Sequence, residues 1–541
     1  MCAAVSPRQR ILSLWFPELS TDRIERREAG RSWRSRGADV PPRAVTRKVK
    51  GAERLAGLNA PARALGLARD EPLADARARI LKLVTEPCDE AADAALLAAL
   101  ADWCDRYTPL VAIDGSDGLF LDITGCAHLF AGPQDNAGEA SLLADCRARL
   151  TAQGFAVSAA IADTPGLASA VARFGSGGKD GNVAAIVPPA QGGDWLKPLP
   201  LAALRIGNET VAMLERVGLK RIEDIVGRPR APLAARFGTL PIRRLDQALG
   251  IEGEPISPRL ATPALIAERR FFEPVSREED VRSVIAALAG HLAEALERRG
   301  EGGRAFELAL FRVDGAVSRV VVGTSRPLRA PRRVLGLFAE KLASLRDELD
   351  VGYGFDLIRL GVLEAQREDA TQIDLQGADA LESDLADLID RLGARLGLAR
   401  IARFLPCDRH LPETRQALVP AATVRNDALV WQAEATSGEP PTRPLRLINP
   451  PEPVEAVAMV PEGPPLRFRW RKSLYEVAAS EGPERIAPPW WSAEYGPGQP
   501  DLTRDYFRVE DGAGRRFWLY REGLYEFETH SPRWYLQGLS G

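Results

Sequence analysis

Residues 107–125, YTPLVAIDGSDGLFLDITG, constrain this chain more than any other stretch. Two short apolar runs flank an acidic, glycine-bearing turn, and that pattern predicts an antiparallel hairpin. The turn carries Asp114 and Asp117, and Asp122 lies in the second strand. Carboxylates gathered at a strand end are the hard oxygen ligands that Mg²⁺ requires. Yet Gly118 follows Asp117, so no second acid adjoins it. The hairpin therefore raises a choice between a metal-dependent active site and a scaffold without its metal.

The surrounding chain predicts an α+β layer, with helices on one face of a sheet. Residues 10–16, RILSLWF, form a strand ended by Pro17. Residues 51–83 are rich in Ala and Leu and predict short helices. Helices are expected over 91–107, 140–153 and 166–175, and a strand over 155–162. Residues 199–237 contain two helical segments joined by Val217-Gly218-Leu219. This is helix-hairpin-helix grammar, in which a Gly turn can aim backbone N–H groups at a phosphate. Lys220 and Arg221 add charge beside it. Residues 268–364 alternate as β-α-β-β-α-β. Beyond about residue 406 lie six of the ten Trp and six of the eight Tyr, among Pro clusters. That composition argues against a wholly disordered tail and predicts a β-rich module with Pro-rich linkers.

The formal net charge is -3, but the charge is uneven. Residues 23–54 hold eleven Lys or Arg against four acids, and residues 298–333 hold nine Arg against three. Two basic islands suggest contact with a polyanion; two solvated surfaces are the plain alternative. The six Cys form no CxxC pair, which argues against a structural zinc site. No apolar run approaches the ~20 residues needed to span a bilayer, so no membrane partner and a cytoplasmic location are expected.

Five pieces in one order resemble the Y-family translesion DNA polymerases over the first 365 residues or so. Residues 10–25 match the first palm strand, 60–78 (APARALGLARDEPLADARA) the fingers, and 107–125 the family's "S-I-D-E-A-F-L-D" palm hairpin. Residues 155–172 match the palm segment that follows, and the helix-hairpin-helix and β-α-β-β-α-β pieces match the thumb and little finger. The implied fold is α+β and multidomain: a palm-like domain (8–20 and 80–190), fingers (21–79), thumb (191–258), little finger (265–366), a clamp peptide and helix (367–405), and a C-terminal partner-binding region (406–541).

Polymerase chemistry needs two divalent cations about 3.5–4 Å apart. In the family, three carboxylates hold them. Laid on this sequence, those positions are Trp15, Asp117 and Gly118, and a neighbouring Asp position is Pro17. Indole offers only a donor and Gly offers no side chain, so only the vestigial Asp117 remains. Asp114 and Glu18 are poor replacements by position. The resemblance thus implies no enzyme activity, no metal and no cofactor; an active polymerase with a non-standard metal site is the alternative, and a nucleic-acid-binding module unconnected to replication is a third reading.

The C-terminal motifs RHLPET, RPLRLINPPEPVEAV and WYLQGL resemble a non-catalytic branch of this superfamily from bacterial mutagenesis cassettes. That likeness implies an adaptor in damage tolerance. Such adaptors bind DNA without sequence preference and bind the sliding clamp. They recruit an error-prone C-family DNA polymerase together with a small RecA-like partner. A clamp peptide of the form Gln-Leu-(Ser/Asp)-Leu-Phe is matched by Gln372, Ile373, Asp374 and Leu375, but Gln376 replaces the aromatic. A buried aromatic contributes about 1–3 kcal/mol, so the expected interaction is weakened. PLRLI (444–448) is a second candidate. For DNA, the expected contacts are Gly218, Lys220 and Arg221 of the thumb and Arg312, Arg319, Arg326 and Arg329 of the little finger.

Overall fold

The acidic hairpin forms at one edge of a five-stranded sheet. The computed structural model describes residues 9–37, 40–130, 138–175, 183–345, 352–368, 378–409, 411–424, 443–444, 446–488 and 502–540. The chain divides into two compact units, Met1–Ile373 and Asp374–Gly541.

In the first unit the sheet order is Val111–Asp114, Gly118–Asp122, Ile11–Trp15, Ser158–Ala162, Ala184–Ile186. The central strand ILSLW is apolar at nearly every position because both of its faces are covered. Ile11 packs with Ala112, Phe120 and the helix Pro165–Phe174 on one face. Leu12 and Leu14 pack with the helices Glu90–Cys104 and Gly138–Ala152 on the other. The expectation of helices on a single face is corrected accordingly. Thr164 starts the helix Pro165–Phe174 by accepting from Leu167 N at 3.2 Å, ahead of a Pro that needs no partner for its nitrogen.

Residues 51–83 differ from their Ala/Leu reading. Ala52–Leu58 is a strand, paired with Arg43–Val49, and only Ala60–Ala64 and Leu73–Arg79 are helical. Cross-strand pairing overrides the helical propensity of AERLAGL. Part of the first basic island is spent in ion pairs. Arg23 pairs with Asp93, Arg34 with Glu18 and Asp22, Arg43 with Glu25, Glu28 and Glu86, and Arg47 with Asp70.

The predicted β-α-β-β-α-β piece is a four-stranded sheet with the order Val317–Leu328, Glu301–Arg312, Phe355–Arg367, Leu265–Val275. The helices Glu278–Arg299 and Pro331–Ser344 complete it. Alternation sends Phe306, Leu308 and Leu310 to one face and Glu307, Ala309 and Phe311 to the other.

The second unit contains the helix Ala378–Leu396, a two-stranded hairpin (Ala402–Pro406 with Gln416–Pro420) and a closed antiparallel barrel of six strands. The expected pair of strands around Asp511–Gly514 is Arg504–Asp511 and Arg516–Glu522. The Pro-rich stretches expected as linkers are barrel strands instead, Arg446–Ala458 and Pro465–Trp470. Pro450 and Pro451 are accommodated where the register with the last strand jumps from Leu447 to Glu452, so no ladder hydrogen bond is demanded of them.

Candidate functional site

Trp15 ends the central strand directly opposite Gly118. That register brings the first-strand residue and the hairpin turn to one sheet end, as a metal-holding palm would need. The side chains there do something else. Trp15 Nε1 donates to Asp117 Oδ2 at 3.1 Å. Arg173, in the last turn of the helix Pro165–Phe174, donates Nη1 to Asp117 Oδ1 at 2.8 Å and Nη2 to Asp114 Oδ2 at 3.2 Å. Its guanidinium also lies 5.6 Å from the Trp15 ring centre. Ser169 Oγ donates to Asp114 at 3.2 Å, and Arg205 approaches Asp114 at 3.7 Å while pairing with Glu254. Each carboxylate at this sheet end is thus matched by a cation or an N–H donor.

Gly118 is shaped to this arrangement. A Cβ there would stand 2.7 Å from Arg173 Nη2 and 2.9 Å from the Asp114 carbonyl oxygen. Among the described residues, no group of three or more His, Cys, Asp or Glu is placed to hold a metal ion. Sequence reasoning missed Arg173. A basic residue in the last turn of a helix reads as a partner for the helix dipole, and nothing local marks it as the hairpin's cation.

Nearby acids are matched in the same way. Glu18 and Asp22 are buried on the helix Leu19–Ala29 and the residue before it, where Arg34 pairs with both and Arg63 with Glu18. Burial pushes the Asp22 carboxyl up to about 7, against the pull of Arg34.

The expected DNA-contact residues fare differently from one another. Gly218 adopts a left-handed φ of 85°, and Lys220 and Arg221 are exposed beside it. The backbone amides of this turn do not point at an open anion site, however. Lys220 N and Arg221 N both donate to Asp224 at 2.8 Å, and those bonds hold Asp224 below the usual carboxylate range. Gly218 N bonds to Glu215 O. The amide cradle inferred from the motif is therefore filled by the chain's own carboxylate, leaving the two cationic side chains.

In the little finger, Arg312 bonds Asp314 through two nitrogens at 2.7 and 2.8 Å. Arg319 pairs with Asp105 and Glu307, and Arg329 with Glu368. Arg326 is half-buried. Arg312, Arg319 and Arg329 are thus held in internal ion pairs. The peptide Gln372–Gln376 lies outside the described residues. In the second clamp candidate, Leu447 and Ile448 are half-buried against the barrel core.

The chain matches the impB/mucB/samB family over residues 39–173 and that family's C-terminal domain over residues 263–375. A DNA polymerase IV of Caulobacter vibrioides is 26% identical over 302 residues, covering 55% of this chain and 71% of the polymerase. A solved structure, "Post-insertion binary complex of Dbh DNA polymerase", aligns with a TM-score of 0.38 at 15% identity, covering 68% of this chain and all of that one. The fold is that of a Y-family polymerase-like protein with a β-rich C-terminal unit. Protein ImuB of the same Caulobacter species is 40% identical over 482 residues, which cover 88% of this chain and 100% of that protein. The chain belongs to the ImuB family.

Proposed function

We propose that this protein is a non-catalytic, polymerase-like adaptor of DNA damage tolerance and induced mutagenesis. The observation that carries this reading is the occupation of Asp117. Its two oxygens are bonded to an indole and a guanidinium, neither of which can activate a primer hydroxyl as a Lewis acid. A single carboxylate so engaged cannot also support a two-metal phosphoryl transfer.

The adaptor grips DNA through phosphates, without sequence preference, using exposed cations such as Lys220 and Arg221. It engages the sliding clamp through Gln372–Gln376 and recruits an error-prone C-family polymerase and the RecA-like ImuA protein through the C-terminal unit. Support for these partners comes from the family and from the self-contained barrel, whose folded core fits a docking module. Pull-down of each partner with the full chain and with a chain ended at residue 373 tests the assignment. Loss of the polymerase and ImuA, with the clamp also lost because its peptide is cut at Ile373, is expected; retention of the polymerase and ImuA by the shortened chain contradicts it.

A further inference from the structure

We propose that the Arg173 guanidinium is a resident cation of the palm, holding Asp114 and Asp117 where a divalent ion would otherwise sit, and that removing it opens a divalent-cation site on those two carboxylates. The inference rests on the non-catalytic reading above and names the device that enforces it.

One planar cation bridges both acids of the turn, through Nη1 to Asp117 at 2.8 Å and Nη2 to Asp114 at 3.2 Å. A metal ion in this place would likewise tie the two acids together. The remaining approaches are taken. Trp15 Nε1 covers the second Asp117 oxygen, and Arg205 faces the second Asp114 oxygen. Arginine differs from a metal in two ways that matter here. It keeps its charge at every accessible pH, and it has no open coordination position for a hydroxyl or phosphate oxygen. It can therefore set the hairpin against the helix Pro165–Phe174 without supplying chemistry.

Gly118 belongs to the same device. The atoms nearest a Cβ at this position are Arg173 Nη2 and the Asp114 carbonyl oxygen, at 2.7 and 2.9 Å. The carbonyl is backbone and yields little. A side chain at 118, above all a second carboxylate, and the guanidinium in its present position compete for one volume. The absence of an acid at 118 and the presence of Arg at 173 are then one structural fact.

Mn²⁺ alone serves as the probe, added at millimolar concentration to the full chain and followed by electron paramagnetic resonance and thermal melting. The wild type is expected to show no Asp117-dependent Mn²⁺ binding and no Mn²⁺-dependent shift in melting. Arg173→Ala is expected to melt lower, to gain about one equivalent of bound Mn²⁺ and to recover part of its melting temperature with the ion; adding Asp117→Asn removes the gain. If Arg173→Ala does not fold, Arg173→Gln, neutral and of similar length, must show the same gain. Mn²⁺ binding by the wild type that is lost in Asp117→Asn overturns the proposal, as does a folded Arg173 variant that gains no Mn²⁺. Nucleotide incorporation by the wild type would contradict the non-catalytic reading, whereas a Mn²⁺-silent Arg173 variant contradicts only this inference.

Discussion

Arg319 of the little finger donates Nη2 to Asp105, at the end of the palm helix Glu90–Cys104, at 2.8 Å. The same carboxylate accepts from Arg359 at 3.0 Å, and Arg359 also reaches the Asp105 carbonyl at 2.9 Å. Asp105 and Arg359 are both buried. The helix-free face of the little-finger sheet is therefore held to the palm by shared charge, with Phe311 as its apolar neighbour beneath the Arg106 and Arg359 guanidinium groups.

Breaking that junction takes one carboxylate from each of two guanidinium groups, leaving Arg319 with Glu307 and Arg359 with Glu268. Removing one partner of a buried ion pair costs up to about 3–5 kcal/mol when the other is left uncompensated, which sets the upper bound here. Asp105→Ala should lower stability to chemical denaturation within that bound and speed hydrogen exchange in Val317–Leu328. Unchanged stability would mean that Asp105 does not join the two domains.

DNA affinity separates the two groups of cations. Lys220→Ala and Arg221→Ala should weaken binding to any duplex similarly, and the removal of each phosphate-binding cation should flatten the salt dependence by a slope of about 1. Arg319→Ala should instead cost stability and leave the salt slope nearly unchanged. Anisotropy titrations at several salt concentrations distinguish these outcomes. A salt slope that falls with Arg319→Ala but not with Arg221→Ala reverses the assignment.

Clamp binding is tested at the peptide itself. Gln372→Ala and Leu375→Ala should each abolish clamp pull-down, because a peptide with Gln376 in the aromatic position has little affinity to spare. Replacing Gln376 with Phe should strengthen binding by roughly one to two decades, the equivalent of about 1–3 kcal/mol. Clamp binding unaffected by all three changes would place the clamp elsewhere on the chain.

Acid should unfold the barrel through Asp505. Burial raises its pKa, but hydrogen bonds from Arg485 and Arg521 outweigh burial and hold it below the ordinary value of 3.8. A folded-state pKa depressed in this way contributes stability that is present above the unfolded value and lost as pH falls through the folded one. The melting temperature of the full chain should fall steeply below about pH 4. Asp505→Asn should lower the melting temperature near neutrality and blunt that acid dependence. An Asp505→Asn variant with wild-type melting at neutral pH contradicts the assignment.

Many elements were legible because they left a strong local mark: apolar runs of strand length, a Gly turn between two helices, a four-strand alternation. That Trp15 and Gly118 bring no carboxylate to the sheet end was equally plain, since residue type alone shows it. What Asp117 meets at that sheet end was not legible. Arg173 lies 56 positions from Asp117, and only the packing of a helix end on a sheet end brings them together. The internal pairing of the arginines was hidden for a related reason. Composition counts charges but cannot say that Arg43 meets Glu25 or that Arg319 meets Asp105. The Pro-rich stretches read as linkers because Pro cannot donate to a ladder, yet a register shift beside Pro450 removes that demand.

Single-nucleotide incorporation on a primed template, with Mg²⁺ and then Mn²⁺, tests the non-catalytic palm most directly. No extension by the wild-type chain is expected under conditions where it binds the same DNA. Extension by the wild type that disappears in Asp117→Ala would show that the palm still carries a working metal site, and would contradict the adaptor reading.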